Sequence, residues 1–454
     1  MLNLADIRRV CRGRIMSGEA RGTVDSVSID SRTVQPGGLF VAIKGDRFDG
    51  HRYIAQAAAK GARAVIVSRR VAAKGMTVIQ VSDTVRALGR IACLHRQHFS
   101  GPVIAITGSA GKTSCRRVIA AVLGASHRVL QSARSENNWI GVPLTLLKLR
   151  PEHDIAVVEA GTNQTGDMAW LASIIQPDVT VFTNIGDSHL AGLKDRGGVY
   201  REKIHLAQGR PGPAAVLFNA DDEYLARIPQ EGWATALKGF SVDSPSDCRA
   251  RDVRVTAAGG VRFRVGGSDY HMRLPGRQHV YNALAAILCA RRFRVPPVNV
   301  RTALARITPA DNRGNLVKTR GGVWILDDTY NANPLSFQRA LEFLAELPGA
   351  RRRIVVCGDM LELGAMSRRL HQDLGRCMAQ AGVAVLLGFG AQSRYVVDAY
   401  RQAAPAGIAT GYGSLSALHR GLGRIVRRGD VVLVKGSRSM RMEKTVEYLK
   451  GKLS

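Results

Sequence analysis

Short apolar runs alternate with amphipathic stretches along most of the chain. The runs VIAITG, IAVVEAG and VTVFTNIG, which lie between residues 103 and 186, each end in small or polar residues. Runs of this kind are typical of strands in a parallel sheet that is buried on both faces. The stretches between them have the period of amphipathic helices, as at 118–123. The pattern therefore predicts an α/β protein built on parallel sheets.

Breaks in this pattern divide the chain into three predicted units. SGP at 100–102 interrupts a long helical pattern, and a second change follows the prolines at 296 and 297. Residues 240–275 predict β-hairpins at the side of the middle sheet. The length of 454 residues agrees with three units, since a domain averages roughly 150 residues. We expect an N-terminal α/β unit at 1–98, a central unit at 99–311 and a doubly wound C-terminal unit at 312–454.

Composition narrows the class of protein. Hydrophobic residues make up 45% of the chain, which is enough for sizeable cores, and no apolar run reaches the ~18 residues of a membrane-spanning helix. The first residues, MLNLADIRRVCRG, carry charges and lack an apolar signal core. The seven cysteines are scattered without a C-x-x-C pair, which favours free thiols in a reducing compartment. We therefore expect a cytoplasmic protein without a membrane span.

The formal net charge of +29 raises the question of a nucleic-acid partner. The basic residues are spread along the chain, and no aromatic residues interleave with them as a base-stacking surface requires. An arginine-rich surface that serves solubility, or a polyanionic small substrate, explains the charge equally well. We expect small-molecule partners and no specific binding of nucleic acid.

The stretch ITGSAGKTS at 106–114 follows the first apolar run and precedes a helical pattern. A strand, a glycine turn and a helix start form a cradle whose backbone N–H groups face an anion. In such a loop, Lys112 reaches the outer phosphates and the Thr113 hydroxyl binds Mg²⁺. The loop has the short form G-x-x-G-K-T, because Ile106 stands where the longer form has its first glycine. The predicted phosphate-binding residues are Gly108, Ser109, Ala110, Gly111, Lys112, Thr113 and Ser114.

Polar residues also follow the other two central runs. Glu159 ends the second run, and His189 lies shortly after the third. Ligands of parallel sheets gather at the carboxyl ends of the strands, which meet at one edge. We therefore expect Glu159 and His189 to lie near the phosphate-binding loop.

Five separated motifs resemble one family. They are DSRTVQPGGLFVAIKGDRFDGH (30–51), NNWIGVPLTLLKL (137–149), DDTYNANP (327–334), GDMLELG (358–364) and VKGSRSMRME (434–443). These motifs and the short P-loop resemble the Mur ligases, ATP-dependent amide-bond-forming enzymes of peptidoglycan synthesis. The resemblance covers nearly the whole chain. It implies an N-terminal UDP-substrate domain, a central ATP-binding domain with a parallel sheet and a C-terminal Rossmann-like domain.

Within the family, the motifs resemble the member that joins D-alanyl-D-alanine to UDP-N-acetylmuramoyl-tripeptide. The resemblance implies that ATP phosphorylates the terminal carboxyl group of the tripeptide, and that the dipeptide amine then displaces phosphate. A carboxylate is a poor acyl donor, so phosphorylation supplies a leaving group, and the protein must neutralise and align two anions. The implied cofactors are ATP and two Mg²⁺ ions, and we expect a monomer.

The resemblance also assigns catalytic and metal positions. Lys112 would contact the transferred phosphate, while Thr113, Glu159 and His189 would hold Mg²⁺. Lys203 matches the lysine that the family carbamylates, which turns an ammonium into an oxygen-bearing anion. The plainer interpretations are that Glu159 is a carboxylate in a salt bridge, that His189 is a loop histidine and that Lys203 is an exposed helix lysine.

Further positions match nucleotide and substrate contacts of the family. Arginine suits a diphosphate because its planar fork binds two oxygens, and polar loop residues otherwise often only satisfy turns. The implied nucleotide contacts are Asn282, Arg313 and Asp328. The implied substrate contacts are Ser31 and Arg32 for the UDP group, Asn137 and Asn138 near the reaction centre, and Tyr330, Asn331 and Asn333 on the dipeptide side.

Two alternatives stay open. The first is a related Mur ligase, or a folylpolyglutamate-type ligase, that adds a single amino acid; the DDTYNANP and GSRSM stretches speak against both. The second is a basic P-loop nucleotide switch that binds nucleic acid, which would need a basic face on one unit. The third residue of the tripeptide and the base that deprotonates the incoming amine are not specified by the sequence.

Overall fold

The computed structural model describes residues 1–46, 48–73, 75–133, 136–209, 214–234, 236–256, 258–347 and 351–453. Over these residues the chain forms three successive α/β units, each with its own largely parallel sheet. The predicted fold class is thus confirmed, whereas the exact boundaries at 98/99 and 311/312 stay a prediction. None of the described helices is long and apolar enough to cross a membrane.

The N-terminal unit contains a five-stranded sheet. Its elements are β1 (Leu2–Asn3), α1 (Leu4–Cys11), β2 (Arg14–Ser17), β3 (Thr23–Val24), β4 (Val27–Ser28), β5 (Leu39–Val41), α2 (Ile54–Ala59), β6 (Ala64–Val67), β7 (Thr77–Gln80) and α3 (Thr84–Gln97). The strand order is β2-β7-β6-β5-β4, in which only β2 runs antiparallel to its neighbour. Helix α3 begins where it does because the Asp83 carboxylate accepts hydrogen bonds from the backbone N–H groups of Val85 and Arg86.

The central unit is built on a seven-stranded parallel sheet. The strands of this sheet are β8 (Val103–Thr107), β9 (Val129–Gln131), β10 (Ile155–Glu159), β11 (Val179–Phe182), β12 (Ala215–Asn219), β13 (Ala236–Ser241) and β14 (Cys248–Arg249). A separate three-stranded sheet contains β15 (Arg251–Val255), β16 (Val261–Val265) and β17 (Ser268–Met272). Its helices are α4 (Lys112–Leu123), α5 (Gly141–Leu146), α6 (Asp167–Ile175), α7 (Leu190–Leu193), α8 (Arg196–Ile204), α9 (Ile228–Glu231), α10 (Gln278–Arg292) and α11 (Pro297–Arg306). The strand order of the seven-stranded sheet is β14-β13-β12-β11-β8-β10-β9.

The three apolar runs that predicted this sheet form its middle. Strand β8 pairs in parallel with β10 on one side and β11 on the other. Helices α4 and α10 cover one face, and α5, α6 and the neighbouring helix α3 cover the other, so every residue of β8 is buried. This arrangement carries the loops after β8, β10 and β11 to one edge of the sheet.

Two local predictions in the central unit need correction. Among the described residues of the central unit, antiparallel pairing is confined to β15, β16 and β17, whereas β13 and β14 extend the large sheet in parallel. The sequence between 240 and 249 therefore forms edge strands and not a hairpin. Of the two prolines expected in a link, Pro296 does lie between α10 and α11, whereas Pro297 is the first residue of α11, because the fixed φ of a proline suits the first turn of a helix.

The C-terminal unit is a six-stranded sheet between helices. Its elements are β18 (Asn315–Lys318), β19 (Trp324–Asp328), α12 (Pro334–Glu346), β20 (Arg353–Gly358), α13 (Ser367–Gln380), β21 (Val385–Phe389), α14 (Ser393–Ala403), β22 (Ile408–Tyr412), α15 (Leu415–Ile425), β23 (Val431–Lys435) and α16 (Glu443–Lys452). The order is β18-β19-β23-β20-β21-β22, with only β18 antiparallel. Apolar clusters pack on both faces, as in doubly wound sheets.

All seven cysteines are free thiols. Five of them are buried, Cys93 is half-buried, and Cys377 on α13 is exposed. The prediction of free cysteines without disulfides is therefore confirmed for this structure. Burial raises the pKa of the Cys289 thiol to about 12, so this cysteine is chemically inert at neutral pH.

Candidate functional site

The phosphate-binding loop lies between β8 and α4, at the edge of the sheet. Gly108 and Gly111 have φ angles of +153° and +80°. A Cβ at Gly108 would lie 2.0 Å from Thr183 Oγ1, so a larger residue would force the loop away from the neighbouring strand. Gly111 precedes α4 directly, which points the free N–H groups of the first helical turn into the loop.

Residues that follow β11 hold this loop in shape. Asn184 Oδ1 accepts a hydrogen bond from the Ala110 N–H at 2.8 Å, and Asn184 Nδ2 donates to the Ala110 carbonyl at 3.0 Å. Thr183 Oγ1 donates to the same carbonyl at 2.8 Å, and Ser109 Oγ donates to the Gly186 carbonyl at 3.0 Å. The loop is therefore preorganised by the protein itself.

The Lys112 side chain curls back over the loop. Its Nζ donates to the Gly108 carbonyl at 2.7 Å. Burial lowers the pKa of this ammonium, the Glu159 carboxylate opposes that shift, and the positive charge of Arg313 adds to it. The ammonium thus lies at the place where an anionic group would meet the loop.

Glu159 lies beside Thr113 at the end of β10. Thr113 Oγ1 donates to Glu159 Oε2 at 2.7 Å, and Asn137 Nδ2 donates to Glu159 Oε1 at 2.7 Å. Arg116 Nε lies 3.7 Å from Oε2, and the carboxylate is almost completely buried. The prediction that Glu159 approaches the loop is borne out in position, and Asn137, expected near the reaction centre, holds the carboxylate.

The paired hydroxyl and carboxylate of Thr113 and Glu159 fit a Mg²⁺ ion, because they are buried oxygen donors next to a phosphate cradle. Among the described residues, no group of three His, Cys, Asp or Glu side chains is arranged to hold a metal. In a Mg²⁺ site at this pair, phosphate oxygens and water would complete the coordination.

His189 joins the central unit to the C-terminal unit. It precedes α7 with φ at +54°, and its Nδ1 lies 2.7 Å from Glu362 Oε2. The hydrogen bond with His189 lowers the pKa of the Glu362 carboxyl group. The backbone N–H of Ala191 also contacts the Glu362 carbonyl at 3.3 Å. His189 is therefore held by a carboxylate from another unit, and its predicted role toward Mg²⁺ stays a prediction.

Lys203 is completely buried in α8, which excludes an exposed helix lysine. Its Nζ has no hydrogen-bond partner among the described residues. Burial lowers its pKa well below the usual value, the charge of Lys112 adds to this effect, and Glu202 opposes it. The Glu202 carboxylate itself accepts hydrogen bonds from the N–H groups of Gly166 and Met168 at 2.9 and 2.6 Å, at the start of α6.

A cavity of about 760 Å³ lies between the central and C-terminal units. Most of the predicted site residues line it, and they stand at or shortly after the ends of the three apolar runs. Gly108, Lys203, Ser31 and Arg32 do not line it. The predicted residues that do are Ser109, Ala110, Gly111, Lys112, Thr113, Ser114, Asn137, Asn138, Glu159, His189, Asn282, Arg313, Asp328, Tyr330, Asn331 and Asn333.

The C-terminal unit contacts the phosphate loop directly. Asn333 caps α12 with its side-chain oxygen, and its Nδ2 donates to the Ser109 carbonyl at 3.1 Å. Lys435, buried at the end of β23, forms an ion pair with Asp328 and donates to the Asn331 carbonyl at 3.0 Å. These contacts fix the wall of the cavity that faces the loop.

Two polar pairs line the remaining wall. The Arg313 guanidinium stacks over the Tyr330 ring, with Cζ 3.6 Å from the ring centroid. Asn282 Nδ2 donates to His279 Nδ1 at 3.1 Å. Burial lowers the pKa of His279 to about 4, so its imidazole is neutral near pH 7 and accepts this bond.

Ser31 and Arg32 lie in the N-terminal unit, apart from the cavity. Ser31 Oγ donates to Gln56 Oε1 at 2.7 Å, and Arg32 binds both carboxylate oxygens of Asp30. The exposed arginine fork is therefore engaged by a neighbouring carboxylate in this structure.

Some residues of the site escaped the sequence reasoning. Asn184 lies in the polar end of the third apolar run, so the rule that found Glu159 would also have found it. Glu362 and Lys435 stand in motifs that the family resemblance named, yet no local signal paired them with His189 and Asp328.

The fold and the site together define a class: a P-loop protein in which a phosphate cradle is enclosed by a second, doubly wound unit. Three family models match the chain: Mur ligase family, catalytic domain, at 23–96; Mur ligase middle domain at 106–290; and Mur ligase, glutamate ligase domain, at 312–438. The chain belongs to the Mur ligase family.

Individual relatives are similar over almost their full length. The UDP-N-acetylmuramoyl-tripeptide–D-alanyl-D-alanine ligase of Escherichia coli is 36% identical over 444 residues, which cover 96% of each chain. The crystal structure of MurF from Acinetobacter baumannii aligns with a TM-score of 0.90 and 27% identity, covering 99% of each chain. MurF from Thermotoga maritima, solved in complex with ADP, aligns with a TM-score of 0.83 and 28% identity over 94% of this chain and 97% of that one.

Proposed function

We propose that the protein is an ATP-dependent ligase that joins D-alanyl-D-alanine to UDP-N-acetylmuramoyl-tripeptide in peptidoglycan precursor synthesis. The observation that carries the proposal is the cavity between the two units, in which Lys112 and the Thr113–Glu159 pair face Tyr330, Asn331 and Asn333 of the C-terminal unit. The similarity to the Escherichia coli ligase of that name supports the choice of substrates.

The phosphate cradle performs the first half of the reaction. The N–H groups of the loop and the Lys112 ammonium bind the β- and γ-phosphates, and positioned charge of this kind stabilises a transferring phosphoryl group. Thr113 and Glu159 would hold Mg²⁺, which neutralises phosphate charge when it is bound. The γ-phosphoryl group moves to the tripeptide carboxylate, and ADP leaves.

The second half needs an enclosed site. The resulting acyl phosphate reacts with water, so the wall formed by the C-terminal unit protects it. The dipeptide amine attacks the acyl carbon, the C–N bond forms, phosphate departs with the C–O electron pair, and the amine loses its proton. We assign Tyr330, Asn331 and Asn333 to the dipeptide side, and Asn137 and Asn138 to the reaction centre. Ser31 and Arg32 are assigned to the UDP group, and Asn282, Arg313 and Asp328 to ATP.

Carbamylation of Lys203 is part of the proposal. A buried amine without a hydrogen-bond partner, whose pKa is depressed by burial, is the neutral nucleophile that reacts with CO₂. The nitrogen attacks the carbon of CO₂, an N–C bond forms, and one proton leaves, which gives a carbamate anion. Together with His189, this anion would act toward a second Mg²⁺.

Phosphate release tests the proposed function. The complete mixture contains ATP, Mg²⁺, UDP-N-acetylmuramoyl-tripeptide and D-alanyl-D-alanine, and parallel arms replace the dipeptide by single amino acids or omit it. We expect sustained release only with the dipeptide. Release with a single amino acid would favour the related ligases. Sub-micromolar binding of DNA or RNA at ~150 mM salt without turnover would favour the nucleotide switch.

We further propose that the enzyme acts as a monomer in the cytoplasm. The two substrates and the nucleotide are all accommodated by one chain in this scheme. Light scattering at enzyme concentrations used for turnover measures the molar mass, and a mass of two chains would contradict the monomer.

A further inference from the structure

An arginine of the N-terminal unit packs against two neighbouring tryptophans of the central unit. Arg86 lies in the first turn of α3, and its Cζ is 4.3 Å from the ring centroid of Trp139 and 4.3 Å from that of Trp170. The two indole rings lie 6.0 Å apart and are tilted by 47°. One guanidinium therefore contacts two aromatic faces, the geometry of a cation–π interaction.

The contacts with Arg86 and the surrounding packing orient these two rings. The indole Nε1 atoms of Trp139 and Trp170 are buried and have no hydrogen-bond partner within the described ranges. The Arg86 side chain has no ion pair or hydrogen bond there either. With no polar contact to fix the three groups, the cation–π contacts and the surrounding packing determine the ring positions.

Both tryptophans lead directly to the reaction site. Trp139 lines the cavity and follows Asn137, whose side chain binds Glu159 at 2.7 Å. Trp170 lies one turn into α6, the helix whose start is held by the Glu202 carboxylate at 2.6–2.9 Å. Arg86 thus contacts two segments that lead to the cavity, next to Val85 of the same helix, which lines the cavity itself.

We propose that Arg86 is a positioning residue, which through Trp139 and Trp170 couples occupancy of the N-terminal unit by the UDP-linked peptide to the loop that presents Asn137 to Glu159. This inference rests on the proposed function for the identity of that ligand. A displacement of α3 on binding of the UDP-linked peptide would reach both rings, because the guanidinium contacts each of them.

Tryptophan fluorescence tests whether Arg86 transmits ligand binding to Trp139 and Trp170. The chain has four tryptophans, so a Trp233→Phe, Trp324→Phe background leaves only the stacked pair as emitters. In this background the UDP-linked tripeptide, added without ATP, is expected to change the emission. Arg86→Met should abolish most of that change, whereas Arg90→Met, one turn along the same helix, should retain it. Arg90 is a matched control because its guanidinium contacts the Cys11 carbonyl and not the rings.

Kinetics give the second readout. Arg86→Met is expected to raise KM for the UDP-linked peptide about tenfold and to leave KM for ATP within about twofold, since a cation–π contact of a half-buried arginine is worth roughly that factor. Arg86→Lys keeps the positive charge and should recover part of the loss. If Arg86→Met disturbs the fold, Arg86→Lys with Trp139→Phe gives the same comparison in milder form.

Two results separate the possible failures. If the wild type turns over and the Arg86 and Arg90 variants have the same emission response and the same KM values, the positioning role is wrong. If the wild type neither releases phosphate nor responds to the UDP-linked peptide, the proposed function fails, and with it the ligand to which this inference couples Arg86.

Discussion

Replacing His279 by Gln should remove an acid-sensitive component of stability. His279 is buried beside the cavity, and its Nδ1 accepts a hydrogen bond from Asn282. Burial lowers its pKa from 6.5 to about 4, Arg339 and Arg117 add to this effect, and Asp328 opposes it. A glutamine cannot become charged in this pH range, and its amide oxygen can accept the same hydrogen bond.

The sign and size of the pH effect on the free energy of unfolding follow from proton linkage. Below pH 6.5 the unfolded chain binds a proton at this histidine and the folded chain does not, so the free energy of unfolding falls as the pH falls. The loss grows to about 2 kcal/mol at pH 5 and about 3 kcal/mol at pH 4, where it levels off as the folded form is protonated too. Above pH 7 the histidine is neutral in both the folded and the unfolded chain, so none of this stability is lost.

Urea unfolding of the ligand-free protein at pH 7.5, 6 and 5 measures this effect. The difference between wild type and His279→Gln cancels the other titrating groups, so it should change by about 2 kcal/mol between pH 7.5 and 5. His98→Gln is the control, because His98 is exposed. If the His279→Gln difference is as constant with pH as the His98→Gln difference, the imidazole is not held neutral by burial.

Three further predictions concern turnover and closure. Lys112→Ala should lower turnover at saturating ATP by about 100-fold or more with an unchanged circular dichroism spectrum, since a lost contact to a transferring phosphoryl group is worth on the order of 3 kcal/mol; wild-type-like turnover would remove the P-loop from the mechanism. Lys203→Ala should be nearly inactive and partly restored by acetate or formate. The proposed carbamylation is wrong if the variant keeps its turnover in CO₂-depleted buffer, or if short acids restore a Lys148→Ala variant equally. Small-angle scattering should show compaction when a non-hydrolysable ATP analogue and the UDP-linked peptide bind, because both later units enclose the nucleotide, and identical profiles would contradict a hinge near 308–314.

Sequence alone predicted what local patterning controls. The runs that became β8, β10 and β11 are apolar because both faces of each strand are covered, and their carboxyl ends place Thr113 and Glu159 together. The glycines of the phosphate loop mark backbone conformations that larger residues rarely adopt. Such features depend on neighbours within a few residues, which a single sequence contains.

Contacts between distant segments were beyond that reasoning. His189 and Glu362 are 173 residues apart, and their pairing depends on how two folded units pack against each other. The burial of Lys203 was equally hidden, because a lysine on a helix is usually solvated and only the tertiary packing of α8 encloses it. Residues 240–249 were misassigned because short strands have the same pattern at a sheet edge as in a hairpin.

The distribution of thiols described above makes the chain suitable for optical labelling with at most one substitution. Cys377, on α13 of the C-terminal unit, is the exposed cysteine, while five others are enclosed. A maleimide dye should therefore attach at one position on the unit that is expected to move, and the half-buried Cys93 can be changed to serine to make the labelling single-site. The emission of that dye would then follow closure of the C-terminal unit during single turnovers, on the timescale at which the enzyme works.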